Sequence, residues 1–307
     1  YINHVNEKRR AVMKIDAVFS GGGMKAFAFL GALQSIDEKN LKIERAAGTS
    51  AGSIIASFLT AGFTTNEIIQ LLDEINIKKF LDPPLLSERV PFAKWILFYF
   101  QMGLYKGNVF EEWLEDVLAQ KGIHTFADIK EDDLKIVVSD VSLGKLIVIP
   151  DDLEKVYGLD PSLFSVATAV RMSSSFPYFF MPKKLHNLQN TKSYIVDGGL
   201  LSNFPLWIFR KDNRDKRPVL GITLSDSFEN HERAEIKNAL DMLQALFNTM
   251  LRAHDAMYIS RSMEKNIIFI PVNNIKTMDF AISDKEKAQL IQLGKERAET
   301  FLRAWPT

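Results

Sequence analysis

Apolar positions in the first sixty residues switch between two periods. Ile15–Phe19 is a short apolar run ending at Ser20-Gly21-Gly22-Gly23, the pattern of a buried strand that stops at a turn. After it, Phe27, Leu30, Leu33 and Ile36 recur at a spacing of three, which places them on one helical face. Ile43–Ala47 reads as a second strand ending at Gly48, and the small and apolar run from Ser50 reads as a helix stopped by Gly62. A glycine there can take the left-handed turn that ends many helices. Strand, glycine loop, helix, strand, tight turn, helix is the alternation of a parallel sheet covered by helices.

Further along, the pattern predicts helices over Thr65–Ile75, capped by Thr65 or Asn66 and broken by Asp82-Pro83-Pro84, and over Val109–Gln120. Leu134–Ser139 and Lys145–Ile149 read as strands joined at Leu143-Gly144, with a hairpin as one option. Pro161–Met172 reads as a helix ended by Ser173–Pro177, and Ser193–Val196 as a strand running into Asp197-Gly198-Gly199. Val219–Leu224 and Ile267–Pro271 are further strands, Ala234–Ser260 one or two long helices, and Asp284–Trp305 a closing helix. No repeat, low-complexity tract or Gly/Ser linker interrupts the chain. A single α/β domain over residues 1–307 is therefore expected, with a core at 13–205 and an extension from about 210.

Composition removes several classes. Hydrophobic residues make up 47% and charged residues 25% of the 307 positions, a globular balance that excludes disorder and coiled coil. Lys plus Arg number 38 and Asp plus Glu number 38, so the basic excess of a nucleic-acid binder is missing and no nucleic-acid partner is expected. With no cysteine, disulfides, thiolate metal sites and a cysteine nucleophile are excluded. No EF-hand loop or paired-histidine helix is present, and neither metal nor cofactor is expected. Tyr1–Arg10 carries charges without an apolar segment, and no apolar run approaches the ~20 residues that cross a bilayer. The expectation is a cytoplasmic protein with peripheral membrane contact as an option; the oligomeric state is not readable.

Gly48-Thr49-Ser50-Ala51-Gly52 matches G-x-S-x-G between a strand and a helix. A serine in that sharp turn projects its hydroxyl outward, and the next helix aims its first N–H groups at developing negative charge. A histidine partner is not well supported: His231 and His254 follow in order, but in polar, helical-looking segments. Gly21-Gly22-Gly23 leaves unobstructed amides at a helix start, a ready anion site. Two uses compete for it. One is an oxyanion hole. The other is a pyrophosphate cradle, since Gly21-x-Gly23-x-x-Ala26 followed by Glu44 fits a dinucleotide fingerprint. Asp197-Gly198-Gly199 closes a strand as well, so Asp197 can reach the sheet rim where a serine ends its own strand. A carboxylate there can take the serine proton directly. Asp140 is the rival acid, with a turn role as its simpler reading.

The Gly21–Ala26 loop, the GTSAG turn about 25 residues on, and the later DGG resemble, in order and spacing, the patatin-like phospholipase family. Arg171–Pro177 before the acid and Asn203-x-Pro205 after it are similar too, and the resemblance covers about residues 13–205. It implies a three-layer α/β/α fold with a mainly parallel sheet, and a calcium-independent lipid acyl hydrolase of the phospholipase A or esterase type. Carried over, Ser50 is the nucleophile, Asp197 the general base, and the amides of Gly22, Gly23 and Met24 the oxyanion hole. Gly21, Lys25, Gly48, Gly52, Gly198 and Gly199 complete the motifs. Ala26 departs from the family's usual glycine. A dinucleotide-dependent oxidoreductase and a non-catalytic lipid-binding module remain the alternatives.

Lipid contact draws attention to two aromatic segments. Pro91–Tyr105 holds Phe92, Trp95, Phe98, Tyr99, Phe100 and Tyr105, which suits a lid or interfacial anchor; core packing is the competing use. Phe176–Met181 is a second aromatic run. Trp95, Phe98, Phe176 and Phe179 are the expected lining of an acyl groove.

Overall fold

The computed structural model describes residues 12–75, 77–84, 98–209, 217–225, 261–272 and 282–305, with short stretches between 236 and 250. Its central sheet begins with β1 (Met13–Phe19) and β2 (Leu41–Thr49), which pair in parallel. β2 pairs in parallel with β4 (Leu134–Asp140), and on the other side β1 pairs with β9 (Val219–Thr223) and β9 with β10 (Ile267–Phe269), again in parallel. β5 (Lys145–Ile149) turns back antiparallel on β4, so the option of a hairpin holds. β7 (Lys183–His186) and β8 (Lys192–Asp197) add an antiparallel flap. A separate short parallel pair joins β3 (Gly103–Tyr105) to β6 (Tyr178–Phe180).

β8 runs against the mainly parallel direction of the sheet. A parallel strand ending at the common rim was the simple way to bring Asp197 to Ser50. Instead β8 is antiparallel to β4, with Asp197 opposite Val138. β2 pairs with Leu134–Val137 of β4 and β8 with Val138–Asp140, while β5 spans both stretches. A strand has only two edges, so β2 and β8 must share one edge of β4 and run toward each other head to head. Their C-terminal ends meet, and that junction carries the site. It is tight: a Cβ on Gly198 would lie 2.1 Å from the Val137 carbonyl oxygen.

Alternation along β1 divides the core. Ala17 and Phe19 face a large cluster with Phe29, Leu33 and Ile55, whereas Val18 faces Phe204, Leu206 and Phe209, as the two-residue strand period requires. α1 (Phe27–Glu38) buries most of its length because α6 (Asp284–Leu302) lies across it. The two backbones touch at glycines: a Cβ on Gly31 would sit 1.8 Å from the Ile291 oxygen, and one on Gly294 1.8 Å from the Ala28 oxygen. α2 (Ala51–Thr60) ends as the sequence predicts, with Gly62 at positive φ and the Gly62 and Phe63 amides bonded back to Leu59 and Phe58. This is the paired closure typical of a C′ glycine.

α3 (Thr65–Glu74) starts one residue earlier than the expected caps. Thr64 accepts from the Glu67 amide while the Glu67 carboxylate receives the Thr64 N–H, a reciprocal box. α4 (Asn108–Ala119) has no local cap; Asp82 reaches across to accept from the amides of Gly107, Asn108 and Val109. The expected helix at Pro161–Met172 divides into a 3-10 turn at Pro161–Leu163 and α5 (Val166–Ser173), because Ser165 caps a new start through the Thr168 amide. Most of Ala234–Ser260 lies outside the described residues. Among those described, no helix is long and apolar enough to cross a membrane.

Candidate active site

Ser50 occupies the turn between β2 and α2 with φ 53° and ψ −127°. A non-glycine residue held there costs on the order of 1–3 kcal/mol and persists only where its surroundings enforce it. The enforcement is visible. The Ser50 N–H donates to Ser173 Oγ at 2.9 Å, and the Ser173 hydroxyl donates in turn to the Val137 carbonyl. Ser53 Oγ donates to the Ser50 carbonyl. Gly48 and Gly52 press strand and helix together, a Cβ on Gly48 falling 2.3 Å from the Gly52 carbonyl. The Ser50 backbone is thus fully engaged and its hydroxyl is left for other use.

That hydroxyl donates to Asp197 Oδ2 at 2.7 Å across 147 positions of chain. Asp197 Oδ1 accepts the Gly199 N–H at 2.8 Å, and the Asp197 N–H is held by the Ser175 carbonyl at 2.9 Å. Asp197 is 3% exposed. Burial pushes its carboxyl up to about 7, against the opposing pull of hydrogen bonds from Ser50 and Gly199. A charged carboxylate is disfavoured in such surroundings, so this acid exchanges its proton near neutral pH.

The glycine loop lies against Ser50. A Cβ on Gly21 would approach Ser50 Cβ at 3.2 Å and the Asn203 side-chain oxygen at 2.4 Å, and the Gly21 N–H donates to the Asn203 carbonyl. The amides of Gly22, Gly23 and Met24 have no acceptor among the described residues. They open the 3-10 turn Gly23–Ala26 that leads into α1, so their partial positive charge is available to an incoming anion. Lys25 points elsewhere, donating to the Val272 carbonyl at 2.8 Å. It ties the loop to the chain after β10.

Beside these groups opens an apolar pocket of about 150 Å³. Its walls include Ile54, Ile55, Leu72, Phe80, Phe110 and Trp113, the last three with ring centroids 5.1–6.2 Å apart. Phe176 and Phe179 line it too. Phe98 does not; it packs against Tyr178 with centroids 5.7 Å apart, while the neighbouring Tyr99 and Phe100 are exposed. Trp95 lies outside the described residues. Sequence reasoning missed Phe80, and Phe110 and Trp113 of α4, which read individually as core.

The segment around Arg171, marked in the sequence only through the family resemblance, has a mechanical role. Arg171 is fully buried, donates to the carbonyls of Lys106, Gly107 and Met181 and to Ser175 Oγ, and lies 4.8 Å over the Phe180 ring. Burial lowers it to about 10, against the opposing influence of Glu111 and Asp82, so it stays a cation. It fastens the aromatic wall to the helix whose end supplies Ser173 and Ser175, the supports of the two reactive groups.

The rival readings find no matching geometry. Asp140 accepts from the amides of Ser142 and Leu143 and from the Tyr157 hydroxyl, a turn role. Glu44 lies mid-strand at the β1–β2 register shift, paired with Lys14 and Lys42. It is several residues from the β2 end, where a ribose-binding acid belongs. No histidine lines the pocket among the described residues, and these hold no cluster of three metal-ligating side chains.

Comparison with known proteins now adds to this geometry. Residues 17–210 match the family described as patatin-like phospholipase. The uncharacterized protein YqhO of Bacillus subtilis (strain 168) is 46% identical over 293 residues, spanning 95% of this chain and 99% of YqhO. Protein 463L of Invertebrate iridescent virus 6, described as a probable lipid hydrolase, is 25% identical over 292 residues, spanning 92% of this chain and 86% of its own length. Among solved structures, VipD from Legionella pneumophila has a TM-score of 0.55 at 17% identity, over 96% of this chain and 67% of VipD. That last likeness is one of fold.

Proposed function

This chain belongs to the patatin-like phospholipase family, and from that premise we propose that it is a lipid acyl hydrolase working through a Ser50–Asp197 dyad. The observation that carries the reading is the 2.7 Å hydrogen bond from Ser50 Oγ to Asp197 Oδ2, beside unused amides and an apolar pocket.

In the proposed cycle an ester's acyl chain enters the pocket and its carbonyl carbon meets Ser50 Oγ. Asp197 takes the serine proton as the new C–O bond forms. The carbonyl oxygen becomes an oxyanion held by the amides of Gly22, Gly23 and Met24. Donors aimed in advance at that charge are worth about 10²–10³ in rate each. Collapse breaks the bond to the leaving alcohol, which departs with the proton from Asp197. Water then attacks acyl-Ser50, again giving its proton to Asp197, and the acid leaves with Ser50 restored. Ala26 lies downstream of the donating amides, so its departure from the family's usual glycine leaves them in place.

The test is covalent. A fluorophosphonate probe should label the wild type and leave Ser50→Ala unlabelled, with ester turnover falling to background. Labelling that persists in Ser50→Ala would sink the reading.

Pocket size sets a second expectation. A 150 Å³ apolar cavity is known to hold a group of about six carbons, and the rings of Phe80, Phe110 and Trp113 are part of the lining here. Hydrolysis of p-nitrophenyl esters should therefore peak at medium acyl lengths. Trp113→Ala should raise the C12 to C6 ratio of kcat/KM by roughly tenfold, about the worth of one or two methylene contacts. An unchanged ratio would mean that acyl chains lie elsewhere.

A further inference from the structure

We propose that Ser174 is a third polar group of the reaction site, whose hydroxyl donates a hydrogen bond to the leaving-group oxygen. The proposal deepens the acyl-hydrolase reading and rests on it.

Three serines stand in a row at 173–175, and two are fully committed. Ser173 Oγ joins the Ser50 N–H to the Val137 carbonyl. Ser175 Oγ joins the Arg171 guanidinium to the Arg171 carbonyl. Ser174 Oγ is shielded from solvent and makes no hydrogen bond among the described residues. Buried hydroxyls are nearly always paired, and one left alone calls for a reason. Ser174 also lines the apolar pocket, where Ser50, Asp197 and Ser174 are the only described lining residues with an oxygen in the side chain. An unpaired hydroxyl in an apolar wall beside a nucleophile and its base is poised for a partner that arrives with the substrate.

The position selects which substrate atom. Ser174 lies between the residue that holds the nucleophile's amide and the residue whose carbonyl holds the Asp197 amide. When the tetrahedral intermediate collapses, the alkoxy oxygen must come within reach of the proton on Asp197, so it stands on the base side of Ser50. The oxyanion is on the glycine-loop side. One staggered step about χ1 lets a serine hydroxyl turn to an oxygen in the pocket. It would donate to the alkoxy oxygen as the acyl–oxygen bond breaks and Asp197 delivers its proton. In deacylation the attacking water occupies the same place. Ser174 gains and loses no proton over the cycle.

Leaving-group dependence tests this. Ser174→Ala should lower kcat/KM for an alkyl ester, whose alkoxide needs the help, by about tenfold, the worth of one hydrogen bond made in the transition state. For the matching p-nitrophenyl ester, whose phenolate leaves unaided, the loss should stay below about threefold. Fluorophosphonate labelling of Ser50, where fluoride departs, should be similarly little affected, and Tm should be unchanged or higher because an unpaired hydroxyl is gone. Equal losses on both esters, or none on either, would overturn the assignment while leaving the dyad intact. A wild type that hydrolyses neither ester would instead remove the acyl-hydrolase reading. If Ser174→Ala did not fold, Ser174→Cys, similar in shape with a weak donor, allows the same comparison.

Discussion

Asp197→Asn is expected to lower kcat by about 10²–10⁴-fold, the usual worth of a general base, while making the protein more stable at alkaline pH. An amide fits the same place: its oxygen can accept the Gly199 N–H and its nitrogen can donate to Ser50 Oγ, but it cannot take a proton. The stability gain follows from the carboxyl's position on the pH scale. Burial holds Asp197 at about 7 in the folded chain, above the ~3.9 of an unfolded aspartate. The folded form therefore keeps its proton where the unfolded form has lost it. That contribution to stability is complete below about pH 4 and is lost as pH rises through 7, on the order of 4 kcal/mol at most. Asparagine has nothing to lose. Tm should differ little between variant and wild type near pH 4, and the variant should lead clearly at pH 8–9. Wild-type kcat/KM should move the other way, climbing through an apparent pKa near 7 as the base ionises. A flat rate profile from pH 5 to 9, or a Tm gap that shrinks with rising pH, would contradict this account of Asp197.

Gly31→Ala and Gly294→Ala should each lower Tm by roughly 2–6 °C, because the α1–α6 contact has no room for a methyl group. A Cβ at either position would overlap a backbone oxygen of the facing helix, at 1.8 Å. Rigid backbones cannot yield as a side-chain tip does, so the helices must separate. Overpacking of this kind typically costs 1–3 kcal/mol, occasionally more, and each kcal/mol moves Tm by about 2–4 °C in a chain somewhat smaller than this one. Ser35 Oγ, which reaches the Lys295 carbonyl at 3.2 Å, would lose its bond as well. Differential scanning calorimetry of both variants measures the effect. A control at Gly122, where a Cβ meets nothing within 4 Å, is strained by its positive φ alone and should lose less.

What could be read from the sequence was local. The strand–loop–helix alternation to Gly62 depends on periodicity and glycine placement within a few residues, and the β1, α1, β2 and α2 boundaries follow it closely. Ser50, the glycine loop and Asp197 were legible because each sits in a short motif. Thr64-x-x-Glu67 is a legible capping box as well, one residue before the expected caps. The direction of β8 was not legible. Strand orientation is set by pairing with β4, some 55 residues away, and a six-residue strand carries no arrow. Asp82 as a remote cap, Arg171 as a fastener and the Phe80–Phe110–Trp113 wall were hidden for the same reason. Each acts on partners far along the chain, and nothing in its own neighbourhood marks it.

The head-to-head meeting of β2 and β8 makes β4 a ruler. Both strands take their register from neighbouring rungs of one template, and those rungs fix the reach from hydroxyl to carboxylate. Loops away from that junction, such as the turn between β7 and β8, contribute nothing to that measurement. Such stretches can lengthen, shorten or be exchanged without detuning the chemistry. A scaffold gauged in this way can vary at its periphery while the span from hydroxyl to carboxylate stays the same.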